Sequence, residues 1–288
     1  MIQANLLRQT IRNNVYEALL EDLGFPASDV SAALIDADEQ ASARVITRTP
    51  GFFCGVGWVE ETARQVDPTI EIEWQVADGD AVLPDQLLWL LRGGARSLLS
   101  AERTMLNFVQ LLSGVATRTA SYVERIGPHP AQLLDTRKTL PGLRLAQKYA
   151  VTCGGGANHR LGLYDAFLLK ENHIAAAGSI SAAVQAARAL HPDKPVEVEV
   201  ETIEQLLEAM DAGADIAMVD NFDLATTREA VTLAAGRIKL EASGGIDETT
   251  ITDIAATGVD YISSGDLTKR IEPMDLSMRF VSNAIANP

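Results

Sequence analysis

The sequence predicts an α/β protein whose larger part is a β/α barrel of parallel strands, preceded by a smaller mixed α/β region. Three observations lead there. Apolar strand-like runs recur from QLLDT to VDYISSG, separated by stretches of helical composition that end in glycine. Such units, joined by short loops, require parallel strands and right-handed crossovers. Polar residues also gather repeatedly at the carboxyl ends of these runs, the end on which a barrel carries its working rim. Finally, no GxGxxG follows the first run, which weakens a dinucleotide-binding sheet.

Taken in order, Leu6, Leu7, Ile11, Val15, Leu19 and Leu20 recur at helical spacing and predict an opening helix. Short strands are expected at SAALIDA, ARVITRT and IEIEWQV, the last running into the turn Asp78-Gly79-Asp80. SAERTMLNFVQLLSGVATRTASYVERI predicts a long helix capped by Ser100, with Met105, Phe108, Val109, Leu112, Val115 and Ala116 on one apolar face. The barrel strands QLLDT, DAFLLK, VEVEV, IAMVDN, IKLEASG and VDYISSG follow, with a candidate seventh unit around GANHRLG. MDLSMRFVSNAIANP predicts a closing helix. The expected division is residues 1–108 for the N-terminal α/β domain, 109–271 for the barrel, and 272–288 returning to the first domain.

Bulk composition narrows the chemistry. Hydrophobic residues make up 47% of the 288, charged residues 22%, and no apolar run is long enough to span a bilayer. The N-terminus lacks a secretory pattern, so a cytoplasmic protein is expected. Cys54 and Cys153 make neither a disulfide framework nor a CxxC zinc site. A net charge of −15 argues against nucleic acid as a partner. Yet from Arg103 to Lys170 cations outnumber acids nine to three. Positive charge so placed on an acidic protein suits a compact anionic ligand.

Each strand end offers a candidate. Arg137 and Lys138 follow QLLDT directly before a new helix, where two cations would repel unless an anion arrives. Gly154-Gly155-Gly156 reads as a helix stop, and His159-Arg160 follows in the link to the next strand. Lys170 ends its strand, where it could bind phosphate or carboxylate, form a Schiff base, or extend outward. Val196, Val198 and Val200 suit the helix-covered side of a barrel strand, which turns Glu197, Glu199 and Glu201 inward. Asp220 ends the neighbouring strand, and two adjacent carboxylates suit sugar hydroxyls or a magnesium-bound polyphosphate. Ser243-Gly244-Gly245 and Ser264-Gly265 end the last two strands, where barrels often hold a phosphate. Arg103 sits in the first turn of the predicted long helix, off its apolar stripe, and faces solvent or another subunit.

Together, DTRKTLPGLR, GGGANHRLGLYDAFLLKENH, VEVEVET, MVDNF, LEASGGI and ISSGDLT resemble the quinolinate phosphoribosyltransferase family, in the right order and over most of the chain. The resemblance implies an N-terminal α/β sandwich-like domain on an incomplete, open β/α barrel, and a homodimer. It also implies phosphoribosyl transfer from phosphoribosyl pyrophosphate (PRPP) to quinolinate with decarboxylation, and Mg2+ as cofactor. By the same resemblance Arg137, His159, Arg160 and Lys170 would hold the quinolinate carboxylates, joined by Arg103 from the second subunit. Lys138 would touch PRPP, and Glu199 and Asp220 would organise ribose hydroxyls and magnesium. Lys138, Lys170, Glu199 and Asp220 form the implied catalytic set. Ser243, Gly244, Gly245, Ser264 and Gly265 would cradle the 5′-phosphate. A transferase for another aromatic acid, a Schiff-base aldolase using Lys170 and a non-catalytic phosphate-binding protein are the competing readings.

Overall fold

Every apolar run assigned to the barrel becomes a strand in the computed structural model, which describes residues 2–281. Along the chain these residues form α1 (Ala4–Leu23), β1 (Gln40–Thr47), β2 (Gly51–Phe52), α2 (Val56–Val66), β3 (Glu71–Trp74), β4 (Ala81–Val82), β5 (Leu87–Gly94) and α3 (Ala95–Ile126). Then come β6 (Gln132–Leu134), α4 (Arg144–Cys153), β7 (Phe167–Leu169), α5 (Glu171–Ala177), α6 (Ile180–Leu190), β8 (Val196–Val200), α7 (Ile203–Asp211) and β9 (Ile216–Asp220). The last elements are α8 (Leu224–Ala234), β10 (Lys239–Ser243), α9 (Ile251–Ala255), β11 (Tyr261–Ser263), α10 (Asp266–Lys269) and β12 (Leu276–Val281). They cluster into two units. One holds the chain up to Ala120, Leu140–Gly155 and Arg270 onward; the other holds Ser121–Thr139 and Gly156–Lys269. The division falls between Ala120 and Ser121, further along α3 than the expected residue 108, and the 140–155 segment belongs with the N-terminal unit.

The first unit is built on an antiparallel sheet in the order β12-β1-β5-β3. Its core joins Phe53, Trp89, Leu91, Met105 and Val109, with the Trp74 and Trp89 rings 5.3 Å apart. Burying such apolar area stabilises the unit by roughly 25 cal/mol per Å2.

Four expectations are corrected here. SAALIDA is not a strand: Ala32–Leu34 form a 3-10 turn, because the Asp29 carboxylate accepts the Ser31 and Ala32 N–H groups at 3.0 and 2.9 Å. Ser100 is not a cap, since the helix begins at Ala95; its hydroxyl instead donates to Asp29 at 2.9 Å. Arg103 therefore lies beyond the first turn, where the helix dipole has faded, and it is exposed. The closing segment is a strand over Leu276–Val281, paired with β1 in the register Thr47↔Leu276 and Val45↔Met278. Met274, Leu276 and Met278 meet the core at period two, which is why strand wins over helix. The segment does return to the first unit; residues 282–288 lie outside the described residues.

The second unit is a six-stranded parallel sheet in the order β6-β11-β10-β9-β8-β7. Its first strand pairs with its last, Leu133 opposite Ile262, which is the circular order of a barrel. The candidate seventh unit survives as a one-residue parallel bridge, Leu134↔Ala157, on the free side of β6. No bridge among the described residues joins that segment to β7, so the ring stays open there. The helices start well: Ser179, Thr202 and Asp223 each accept a backbone N–H from the first turn of α6, α7 and α8. Val196, Val198 and Val200 are fully buried, and Glu197 and Glu199 between them point to the other face, whereas Glu201, expected inward, lies past the strand end and is exposed.

Candidate active site

The carboxyl end of β6 and the link before β7 are knit together by one residue that sequence reasoning passed over. Asp135 is fully buried, accepting the His159 backbone N–H at 2.9 Å and the Asn158 side-chain amide at 2.7 Å. Its own N–H donates to the Ala157 carbonyl at 3.2 Å. The only signal in the sequence was an acid at a strand end, directly before two cations.

This knot brings Arg137 and Arg160 near each other. Burial lowers the pKa of Arg160, and the positive charge of Arg137 lowers it further; Glu197 and Asp165 act in the opposite direction. Each guanidinium also has a buried Nε with no hydrogen-bond partner. Two half-buried like charges with unused donors are costly unless an anion joins them. Asp165 shapes the intervening loop, accepting the Leu161 and Gly162 N–H groups at 2.6 and 3.0 Å, while Arg160 Nη1 reaches the Ala166 carbonyl at 3.3 Å.

Further round the rim, the Lys170 ammonium is ion-paired with Glu199. Asp220, on the adjacent strand, has a raised pKa: burial is the main cause and the charge of Glu199 the next, while Lys170 and Lys138 pull the other way. A lysine–carboxylate–carboxylate row of this kind can bind hydroxyls and a hard cation together.

His159 lies between the Arg160 backbone and two buried carboxylates. Its Nδ1 accepts the Arg160 backbone N–H at 2.7 Å, so the neutral ring carries its proton on Nε2. That nitrogen lies 2.9 Å from Glu197 Oε2 and 3.5 Å from Glu241 Oε2. Burial, and then the charge of Glu197, push the Glu241 carboxyl up to about 8. Glu241 was not singled out from sequence, where LEAS reads as an ordinary strand.

The glycine loops are tightly built. Gly244 has φ +102, and a Cβ there would sit 2.2 Å from Asn221 Oδ1; Gly245 has φ +60. A Cβ on Gly265 would lie 2.8 Å from Lys138 Cδ, so the lysine stem crosses bare backbone. The Ser243 carbonyl accepts the Asn221 N–H at 3.1 Å. Ser264 is buried and donates to the Ile246 carbonyl at 2.9 Å, which ties the last two strand-end loops together. Lys138 is exposed at the rim, its N–H held by Thr136 Oγ1 at 3.0 Å. The second unit thus brings together Arg137, Lys138, His159, Arg160, Lys170, Glu199, Asp220 and both glycine loops. Arg103 lies on α3, within the first unit.

An open parallel barrel with paired guanidiniums, a lysine–carboxylate row and glycine loops on its rim is a barrel built for small polyanions. Residues 29–113 match the model of the quinolinate phosphoribosyl transferase N-terminal domain, and residues 115–279 match that of its C-terminal domain. The chain is 42% identical to a probable nicotinate-nucleotide pyrophosphorylase [carboxylating] of Bacillus subtilis (strain 168), over 90% of this chain and 89% of that one. It is 40% identical to the nicotinate-nucleotide pyrophosphorylase [carboxylating] of Mycobacterium leprae (strain TN), over 93% and 96%. The solved nicotinate-nucleotide pyrophosphorylase of Francisella tularensis superposes with a TM-score of 0.92 at 46% identity, covering 95% of this chain and 97% of that one. The chain belongs to the quinolinate phosphoribosyltransferase family. No described helix is long and apolar enough to cross a membrane.

Proposed function

We infer that the protein transfers the phosphoribosyl group of PRPP to the ring nitrogen of quinolinate and releases carbon dioxide and pyrophosphate. The product is nicotinate mononucleotide, a precursor of NAD. The family supplies the reaction; the observation that carries the site is the Arg137–Arg160 pair, two cations without a buried counter-ion for their Nε donors. A dicarboxylate answers both at once. At an effective dielectric of about 20, one close charge pair contributes about 4 kcal/mol before desolvation, enough for a second carboxylate to matter.

In this reading Arg137, His159, Arg160 and Lys170 orient the diacid, and Lys138 faces the pyrophosphate side of PRPP. Glu199 and Asp220 take the ribose hydroxyls, and the loops Ser243-Gly244-Gly245 and Ser264-Gly265 take the 5′-phosphate. As pyrophosphate leaves C1 of the ribose, positive charge grows on the sugar and the ring nitrogen attacks from the opposite face. Alkylation makes the ring an electron sink; the adjacent carboxylate departs as carbon dioxide, and the electron pair left on that ring carbon takes up a proton from solvent. Such a reaction needs positioning and electrostatics rather than a covalent nucleophile.

Glu199 and Asp220 fit Mg2+, being partly exposed oxygen donors on neighbouring strands that leave other positions to substrate oxygens and water. When bound, the ion neutralises charge on the departing pyrophosphate. A cytoplasmic homodimer completes the proposal, with the exposed Arg103 of one copy serving the other's site. Incubation with carboxyl-labelled quinolinate, PRPP and magnesium tests the reaction: label should appear as carbon dioxide in step with nicotinate mononucleotide. Product without label release, or no product, would refute it.

A further inference from the structure

The chain's only two cysteines lie far apart in sequence, yet the first unit folds them against each other. Cys54 stands in the link between β2 and α2, and Cys153 is the last residue of α4. Their sulfurs and a carboxylate oxygen of Asp78 all lie within 4.8 Å of one another. Both cysteines are free thiols. All three residues belong to the first unit, apart from the strand-end residues of the barrel.

The segments that carry the pair are braced. The Cys54 N–H donates to Ser113 Oγ at 2.9 Å, and the same hydroxyl donates to the Cys54 carbonyl at 3.2 Å. One Asp78 oxygen accepts the Gly55 and Val56 N–H groups at 2.6 and 3.1 Å, at the start of α2. The other accepts the Tyr149 hydroxyl at 2.7 Å, from α4 one turn before Cys153. Asp78 thus spends its oxygens on tying the two cysteine-bearing segments together. The thiols themselves differ in access: Cys54 is fully buried and Cys153 partly exposed. Burial, then the hydrogen bond with Cys153, raise the Cys54 pKa well above the ordinary thiol value, and the charges of Cys153 and Asp78 add to the rise. A buried thiol kept protonated reacts poorly with oxidants, so attack begins at the exposed member.

We propose that Cys153 and Cys54 form a reversible thiol–disulfide site for hydroperoxides, with Cys153 the entry thiol and Cys54 the resolving thiol. The Cys153 thiolate attacks one peroxide oxygen and the O–O bond breaks. Its sulfur becomes a sulfenic acid, and the leaving oxygen takes up the proton the thiol gave. The Cys54 sulfur then attacks the Cys153 sulfur. The S–S bond forms, the S–O bond breaks, and the departing hydroxide carries off the Cys54 proton as water. In all, two thiols lose two electrons and one hydroperoxide gains them. Contact makes the second step intramolecular, which offsets the weak nucleophilicity of a protonated thiol. The bond closes a ring of about a hundred residues and constrains the unfolded chain, so the oxidised form is the more heat-resistant one.

The test treats the reduced full-length protein with hydrogen peroxide and reads the products by mass spectrometry. The intact mass should fall by two hydrogens, digestion should yield a Cys54–Cys153 peptide pair from a single chain, and dithiothreitol should restore both thiols. Before oxidation, iodoacetamide should label Cys153 at least about tenfold faster than Cys54. In Cys54→Ser the sulfenic acid has no partner, so dimedone should trap it on Cys153. Cys153→Ser should leave Cys54 unoxidised at the same dose. Cys153 driven to sulfinic acid beside an intact Cys54 thiol, or a disulfide linking two chains, would overturn the proposal. So would a bound zinc ion that shields both thiols until a chelator removes it. Equal labelling of the two cysteines would contradict the order of attack. Oxidation should raise the melting temperature; a fall would show a bond forced on the fold rather than prepared by it. The parent protein alone decides these points even where a variant folds poorly.

Discussion

The buried carboxylate of Asp135 accepts the backbone N–H of His159 at 2.9 Å, and through that bond the end of one strand fixes the start of the loop that carries Arg160. The same carboxylate takes the Asn158 amide at 2.7 Å. Removing it strands two donors inside the protein. Asp135→Ala should therefore lower unfolding free energy by about 3 kcal/mol, a typical loss for buried charge-assisted bonds. Asp135→Asn should lose less. Urea denaturation of the two variants against the parent protein measures both.

Arg137 carries the opposite expectation, since its charge lowers the pKa of Arg160 beside it. Arg137→Ala should reduce kcat/KM for quinolinate by about a hundredfold or more, while thermal stability holds or rises slightly. Arg137→Lys should restore little, because an ammonium cannot reproduce a planar fork of donors. Steady-state kinetics with a melting curve on each variant distinguishes this from simple damage to the fold, which would lower both.

Much of this site was legible from residues alone, and the part that was not has a physical reason. The barrel strands announced themselves as apolar runs ending in charge, so Arg137, Lys170, Glu199 and Asp220 were found where strands meet loops. The inward turn of Glu197 and Glu199 followed from the valines between them. Asp135 and Glu241 escaped because their importance lies in partners distant in sequence: His159 is 24 residues beyond Asp135. Ser100 has the right chemistry for a cap, but the helix had already begun at Ala95. In the closing segment the alternation of Met274, Leu276 and Met278 was readable and was outweighed by helix-forming composition downstream.

Glu241 gives a pH prediction with a definite sign. Its folded pKa, pushed up to about 8 by burial and by Glu197, lies above the ordinary carboxylate value of 4.5. The folded state thus holds a proton that the unfolded chain releases between those values. Its contribution is fully present below about pH 4.5 and is lost as pH rises toward 8. Glu241→Gln removes this dependence. Relative to the parent, the variant should gain stability between pH 6 and pH 9, seen as a rising difference in urea midpoint. A difference that stays constant or falls across that range would refute the assignment.

Gly244 combines φ +102 with a neighbour, Asn221 Oδ1, 2.2 Å from where a Cβ would sit. Gly244→Ala should cost about 1–3 kcal/mol through backbone strain alone. Since the Asn221 side chain donates to Asp220 at 2.7 Å, displacing it should also raise the KM for PRPP more than that for quinolinate. Denaturation and two-substrate kinetics on this one variant check both statements.

The central claim is that the rim was shaped for two carboxylates and not one, with Arg137 and Arg160 sharing the task. Calorimetric titration with quinolinate and, separately, with nicotinate addresses it without any turnover. The parent protein should bind quinolinate about a hundredfold more tightly, a gap of about 2.7 kcal/mol, and Arg160→Ala should shrink that gap to about tenfold or less. Equal affinity for the two acids in the parent, or a gap untouched in Arg160→Ala, would contradict it.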